Sequence, residues 1–272
     1  MTCNMDGYTA RGFCKRAACA LFITVTTLIC FQSVFCSAKQ DAVSIFTQAN
    51  KYYDGKGVKP DPVKAARLYG LAADQGHSGA QFKLGCMYLD GDGVRKNTVK
   101  GISLLELAGK QGDADAQNTL GLMYYNGDGV RQDSLKAIYW FELAARQGDV
   151  DAQYALGTMY WWGTGVPIDE KKASVWLERA AKDGLAMAQY HFGVMNEKGQ
   201  GLAQNDAEAA KWYGLAAEQD VPEAQYHLGV LYELGKGVPQ SQTRAMELFR
   251  LAAKNGNDEA KEALRVRGGG QE

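Results

Sequence analysis

Apolar residues in this chain fall into short runs of helical period that recur at a fixed distance. The stretch Ala114 to Tyr125 (ADAQNTLGLMYY) places Ala116, Leu120 and Tyr124 four apart, on one face of a helix, with Gly121 beside them. Gly127-Asp128-Gly129 follows and stops that helix, because glycine takes left-handed angles without a Cβ penalty. Val130 is an apolar plug, and Asp133 is an N-cap residue able to accept from the first free amides of a second helix. That helix is predicted to run to Gln147, with Ala137, Trp140, Phe141, Ala144 and Ala145 inward and Gly148 as its terminator. One unit thus reads as two short helices about a glycine turn, with an apolar face that it cannot bury alone.

The unit repeats every 36 residues without insertion. Gly-x-Gly pairs stand at Gly55/Gly57, Gly91/Gly93, Gly127/Gly129, Gly163/Gly165, Gly199/Gly201 and Gly235/Gly237. The same step gives Ala72, Ala108, Ala144, Ala180, Ala216 and Ala252, and Gln81, Gln117, Gln153, Gln189 and Gln225. N-cap residues recur as Asp61, Asn97, Asp133, Asp169, Asn205 and Ser241. Gly85, Gly121, Gly157, Gly193 and Gly229 sit inside first helices, where glycine costs about 1 kcal/mol against alanine. A cost repeated five times implies close approach of a neighbouring helix. The prediction is an all-α solenoid of six stacked helix-turn-helix repeats.

Composition fits a globular chain, at 46% hydrophobic and 22% charged. Ahead of the repeats, Arg11, Lys15 and Arg16 form a basic region, Ala17 to Phe31 carries no charge, and Ser33–Ala38 offers small residues. Cys36 and Ala38 would occupy positions −3 and −1 of a cut before Lys39. This predicts a cleavable export signal over residues 1–38. An uncleaved membrane anchor is the alternative, although the apolar core is short of the ~20 residues a spanning helix needs. Loss of residues 1–38 would remove three basic residues against one acidic, taking the net charge from −1 to −3. With no basic excess to neutralise phosphates, nucleic acid is not expected as a partner. Five of the six cysteines lie in the leader, so only Cys86 would remain, and no internal disulfide could form. Cys86 falls among apolar helical positions and reads as a small buried hydrophobe.

The pattern Ala152-Gln153, Leu156-Gly157, Tyr160, Gly163-x-Gly165-Val166, then Lys172-Ala173, Trp176, Ala180-Ala181 and Gly184 resembles the Sel-one-like repeat, a relative of the tetratricopeptide repeat. The resemblance covers about residues 41–257. It implies a right-handed α/α superhelix acting as an adaptor for a protein or peptide. Expected settings are the bacterial periplasm and cell envelope, the exterior, or the endoplasmic reticulum lumen of a eukaryote. A cysteine-rich branch of the family is linked to β-lactams, which makes a cell-wall or β-lactam-directed hydrolase the alternative function. This chain lacks the cysteine pair per repeat that marks that branch.

Departures from the repeat separate scaffold from candidate function. Ile45 and Gln48 replace the usual Gln and Leu, so the first helix reads as a cap with a wetter face. Asn196 replaces the core tyrosine, where a local defect is expected, and Asp220 replaces the terminating glycine before Pro222. Asp258–Val266 reads as a C-terminal capping helix, making the solenoid residues 39–266 with a flexible tail over 267–272. The residue after the core tyrosine drifts along the chain as Tyr53, Leu89, Tyr125, Trp161, Glu197 and Glu233. The next drifts as Asp54, Asp90, Asn126, Trp162, Lys198 and Leu234. First helices line the concave surface in related solenoids, and aromatic pairs are frequent interface anchors. Tyr53, Tyr125, Trp161, Trp162, Glu197 and Glu233 are therefore the candidate partner-binding residues. For Trp161, a core filler against Trp176 is the competing reading.

No catalytic constellation is legible. The Gly-x-Gly pairs lack the lysine and the preceding strand of a nucleotide loop. His191 and His227 occupy one repeat position and so lie one repeat apart. That is about 10 Å, too far for shared zinc ligation at about 2 Å per bond. No catalytic residue, metal or cofactor is expected.

Overall fold

The computed structural model describes residues 41–268, so the export signal read over residues 1–38 lies outside the described residues. The described residues form helices and no strand. These are α1 (41–54), α2 (Pro62–Asp74), α3 (Ser78–Asp90), α4 (Thr98–Lys110), α5 (Ala114–Asn126), α6 (Ser134–Arg146) and α7 (Val150–Trp162). There follow α8 (Glu170–Lys182), α9 (Ala186–Lys198), α10 (Asp206–Glu218), α11 (Pro222–Leu234), α12 (Gln242–Lys254) and α13 (Asp258–Gly268). Odd-numbered helices up to α11 are the first helices of their repeats, even-numbered ones the second. The chain divides into two units between Leu104 and Leu105, inside α4.

In the first unit, the core joins Ala49 of α1, Ala65, Tyr69 and Ala72 of α2, and Ala80, Leu84 and Met87 of α3. Ile45 and Phe46 pack on it only partly, and Gln48 is exposed, in keeping with a wetter capping face. The Tyr69 hydroxyl donates to Asn50 Oδ1 at 2.7 Å. Cys86 is partly exposed, not buried as expected. Its helix position is that of Leu122, 46% exposed, and of Val194, which is buried, so what packs on each copy decides its burial and residue type does not.

In the second unit each helix packs on the next from α5 to α13, a solenoid of paired helices. The mid-helix glycines mark close approaches between the paired helices. A Cβ at Gly121 would lie 2.5 Å from the Phe141 ring, and one at Gly157 would lie 2.6 Å from Leu177 Cγ. Leu120, Phe141, Leu156 and Leu177 fill the space so created and are almost completely buried.

Turn chemistry follows the sequence throughout. The side chains of Asp61, Asn97, Asp133, Asp169, Asn205 and Ser241 each accept from an amide in the first turn of the helix that follows. Asp220 has a φ of 60°, the left-handed value its glycine equivalents hold, and Pro222 occupies the first turn of α11. Asn196 is buried where the other repeats carry the core tyrosine. Its side-chain amide donates to the Phe192 carbonyl at 2.8 Å, and its own carbonyl accepts from the Asn205 amide at 2.9 Å. The last helix runs two residues beyond the expected Val266, because the Arg267 guanidinium is anchored on both oxygens of Glu233 at 2.6 and 2.7 Å.

The glutamine ladder is a buried polar rung. Gln117, Gln189 and Gln225 donate Nε2 to the carbonyls of Gly109, Ala181 and Ala217 at 2.8, 3.2 and 3.1 Å. Their Oε1 atoms accept from Gln147, Gln219 and Asn255 at 2.8, 2.8 and 3.2 Å. In the fourth repeat the corresponding residue is Asp183, whose carboxylate has no hydrogen to give. Gln153 is only 4% exposed, and its Oε1 is buried without a partner.

Candidate functional site

Trp161 and Trp162 end α7, where Gly163 takes the left-handed C-cap conformation and releases the chain into the turn. Their rings stack with centroids 6.0 Å apart. Trp161 is half-buried against the core that contains Val194, Tyr213 and Leu228, whereas Trp162 is 58% exposed. Trp161 also donates its indole N–H to Gln200 Oε1 at 3.2 Å, and Gln200 in turn donates to Glu170 at 3.3 Å. Trp176, the alternative packing partner, lies under the Arg179 guanidinium, 4.7 Å from its ring centre. Trp161 is thus both wall and base: its inner edge closes the core and its outer edge carries Trp162.

The tryptophans begin a continuous path of rings across three first helices. His191 of α9 meets Trp161 at 5.3 Å, Trp162 at 5.8 Å, Tyr154 at 5.7 Å and Tyr190 at 5.2 Å. Tyr190 meets His227 of α11 at 5.8 Å, and His227 meets Tyr226 at 5.7 Å. Tyr154 and Trp161 are seven residues apart, two helical turns, and so share a face of α7. His191 is the buried centre of the path. Burial pushes its imidazole down from the ordinary 6.5 to about 4, so it is neutral near pH 7, and Nδ1 lies 3.3 Å from the Tyr154 hydroxyl.

Glu197, the counterpart of Trp161 on α9, is spoken for within the fold. Its Oε2 accepts from the Tyr213 hydroxyl at 2.6 Å and lies 3.5 Å from His227 Nδ1. Bonding to His227 and then to Tyr213 holds its carboxyl below the usual range despite partial burial. Burial, with the same Glu197 contact added to it, pushes the Tyr213 hydroxyl far up.

The candidate residues therefore divide. Trp161 and Trp162 meet at His191 of α9, while Glu197 reaches the ring path only through His227 and Tyr213. Glu233 is held by Arg267 from α13. Tyr125 is partly exposed one repeat earlier, its carbonyl taken by Gln132, and it stands outside the ring path. Tyr53 belongs to the first unit, where its ring meets Tyr69 at 6.2 Å. Burial, followed by Asp92, pushes its hydroxyl up. Sequence reasoning sought partner contacts only at the helix ends, missed Tyr154, Tyr190 and Tyr226, and weighed His191 only as a metal ligand. A signal was present: the position of Tyr154 reads Phe82, Asn118, Tyr154, Tyr190 and Tyr226 along the chain, and that of His191 reads Ala155, His191 and His227.

Among the described residues no group of His, Cys, Asp or Glu is placed to hold a metal ion, and no helix is long and apolar enough to cross a membrane. A groove of about 610 Å³ beside Gly214 is lined by apolar residues of α10, α11 and α12, with Lys211, Glu218 and Arg244 among its polar lining.

The Sel1 repeat model matches six consecutive segments, residues 49–77, 78–113, 114–149, 150–185, 186–221 and 222–257. No curated protein matches the chain. Among solved structures, a protective antigen present in uropathogenic Escherichia coli strains displaying an SLR fold is 32% identical, with a TM-score of 0.76 over 83% of this chain. The match spans half of that protein's length. A Sel1 repeat protein from Oxalobacter formigenes is 34% identical, with a TM-score of 0.66 over 78% of this chain and 87% of its own. With three-quarters of its residues in matched repeats and both structures sharing the paired-helix stack, the chain belongs to the Sel1 repeat family.

Proposed function

We propose that the protein is a non-catalytic scaffold of the cell envelope or secretory lumen, which holds a partner protein or peptide on the first-helix face of α7, α9 and α11. The observation that carries this is the exposed indole of Trp162, stacked on a fixed Trp161. A large ring held in place by the fold offers contact area without an ordering cost, which is the character of an interface anchor. Membership of a family of interaction repeats supports a polypeptide partner. The leader sequence supports export, and so does the likeness to a protective antigen.

The test is recovery of partners from envelope extracts by the wild type and by a Trp161→Ala/Trp162→Ala variant. Loss of a specific partner with retained helicity supports the reading, and unchanged recovery removes this face from it. Nitrocefin turnover above background by the purified protein would overturn the non-catalytic claim. N-terminal sequencing of the exported chain separates the two readings of the leader: a start at Lys39 means cleavage, an intact N-terminus means an anchor.

A further inference from the structure

Resting on that reading of the α7–α9–α11 face, we infer that its occupant is an extended segment of a partner protein carrying arginine or lysine side chains at every third residue. The surface offers the exposed ring of Trp162 and the partly exposed rings of Trp161, Tyr190 and Tyr226, and such rings attract cations through the negative charge above and below each ring. Several rings elsewhere are covered by the chain's own cations. Lys136 lies 5.1 Å over Tyr124, Lys172 lies 4.9 Å over Tyr160, and Arg267 lies 5.1 Å over Phe249. Among the described residues no lysine or arginine is so placed over Tyr154, Trp161, Trp162, Tyr190 or Tyr226. The path is left without an internal cation.

Its surroundings are acidic. The Tyr190 hydroxyl, raised first by burial, is raised further by the charges of Glu223, Glu197 and Glu259. Glu170 stands behind Trp161 through Gln200. Of the cations nearby, Arg267 is committed to Glu233, and Lys198 lies beside Glu197 and offsets part of its charge. Packed helices are about 10 Å apart. A polyproline II segment has three residues per turn and advances about 3.1 Å per residue, so every third side chain points the same way and falls over the next repeat. Cations at that interval would meet Trp161–Trp162, Tyr190 and Tyr226 in turn, one repeat each.

The probes are three capped 12-residue peptides in a Gly/Ser background with arginine, glutamine or glutamate at every third position. Binding to the exported protein is followed by tryptophan fluorescence and calorimetry. The arginine peptide is expected to bind more tightly than the other two and to weaken as salt screens the carboxylates. Trp162→Ala should weaken it about tenfold, while Trp162→Phe, which keeps a ring, stays within about threefold. Glu223→Gln/Glu259→Gln should weaken it about fivefold and flatten its salt dependence. Equal binding of the glutamine or glutamate peptide overturns the inference, and so does an arginine affinity indifferent to both sets of variants. The two readings fail separately. Loss of the native partner in Trp161→Ala/Trp162→Ala without any arginine-peptide binding rejects the cationic occupant and keeps the face. Trp162-dependent peptide binding alongside unchanged native recovery supports the cation chemistry and rejects the face as the partner's site.

Discussion

The third repeat (α5 and α6) and the fourth (α7 and α8) are neighbouring copies of one unit, and much of their interior matches, although Phe141 gives way to Leu177 and Ile138 to Ser174. Leu120 answers Leu156, Gly121 answers Gly157, and Asp133 answers Asp169 with the same amide bond. Away from those positions they part. The third repeat ends its first helix with Tyr125-Asn126 and closes its buried rung with Gln147. The fourth ends with the stacked Trp161-Trp162 and leaves Gln153 Oε1 unsatisfied beneath Asp183. Interior positions keep their burial while exchanging side chains, as Tyr69, Leu105, Phe141, Leu177, Tyr213 and Phe249 do at one position of the second helix. The outer face is free to differ, and the fourth repeat departs both on that face and at the rung.

The strongest test of equivalence is in the core. Leu120→Ala and Leu156→Ala should each cost about 3 kcal/mol, since both side chains are fully buried. Denaturant melts followed by circular dichroism should show the two losses to be similar; a fourth-repeat loss under half that of the third would break the comparison.

The second test is pH. At His191 the folded imidazole is held near 4, against 6.5 for the unfolded chain. The unfolded chain therefore binds more protons between those values, and stability falls as pH drops from about 6.5 to 4. After allowance for its partial exposure, the contribution is on the order of 2 kcal/mol. His191→Phe keeps a ring among Tyr154, Trp161 and Tyr190 without a titrating group. Its stability should be flatter than the wild type's over that window, and parallel curves would show that His191 is not the cause.

A smaller effect is expected at the rung. Asp183→Gln supplies the missing donor to Gln153 and should stabilise by about 1 kcal/mol, and Gln147→Asp should remove the same amount from the third repeat. Destabilisation by Asp183→Gln would mean that the buried oxygen is satisfied in another way. The smallest change is predicted for Trp162→Ala, within about 0.5 kcal/mol, because most of that ring is already in solvent. A large loss would make Trp162 a structural residue and would remove its role as an anchor.

Much of the fold was legible from residue types that admit one physical reading. Glycine at a fixed interval inside helices meant close packing, and the side chains of Phe141 and Leu177 at Gly121 and Gly157 supply it. Short polar residues ahead of each second helix meant caps, and all six accept the expected amide. These inferences are local or concern neighbours at a fixed spacing, so periodicity carries them. Trp161 and Trp162 could likewise be singled out, because they break the repeat in chemical type.

What periodicity could not carry was which variable side chains meet. Tyr154 of α7, Tyr190 and His191 of α9, and His227 of α11 lie on three helices, and their ring contacts depend on the stacking of successive first helices. That stacking turned His191 from an ordinary polar residue into the neutral centre of the path. It also took Glu233 and much of Glu197 out of the free surface, by bringing Arg267, Tyr213 and His227 onto them. The sequence by itself determined the unit, its turns and its interior, because those rest on helical period and on glycine and capping chemistry. Only the tertiary structure decided which side chains share a surface and which charges are already spent, because both depend on distances between residues on separate helices.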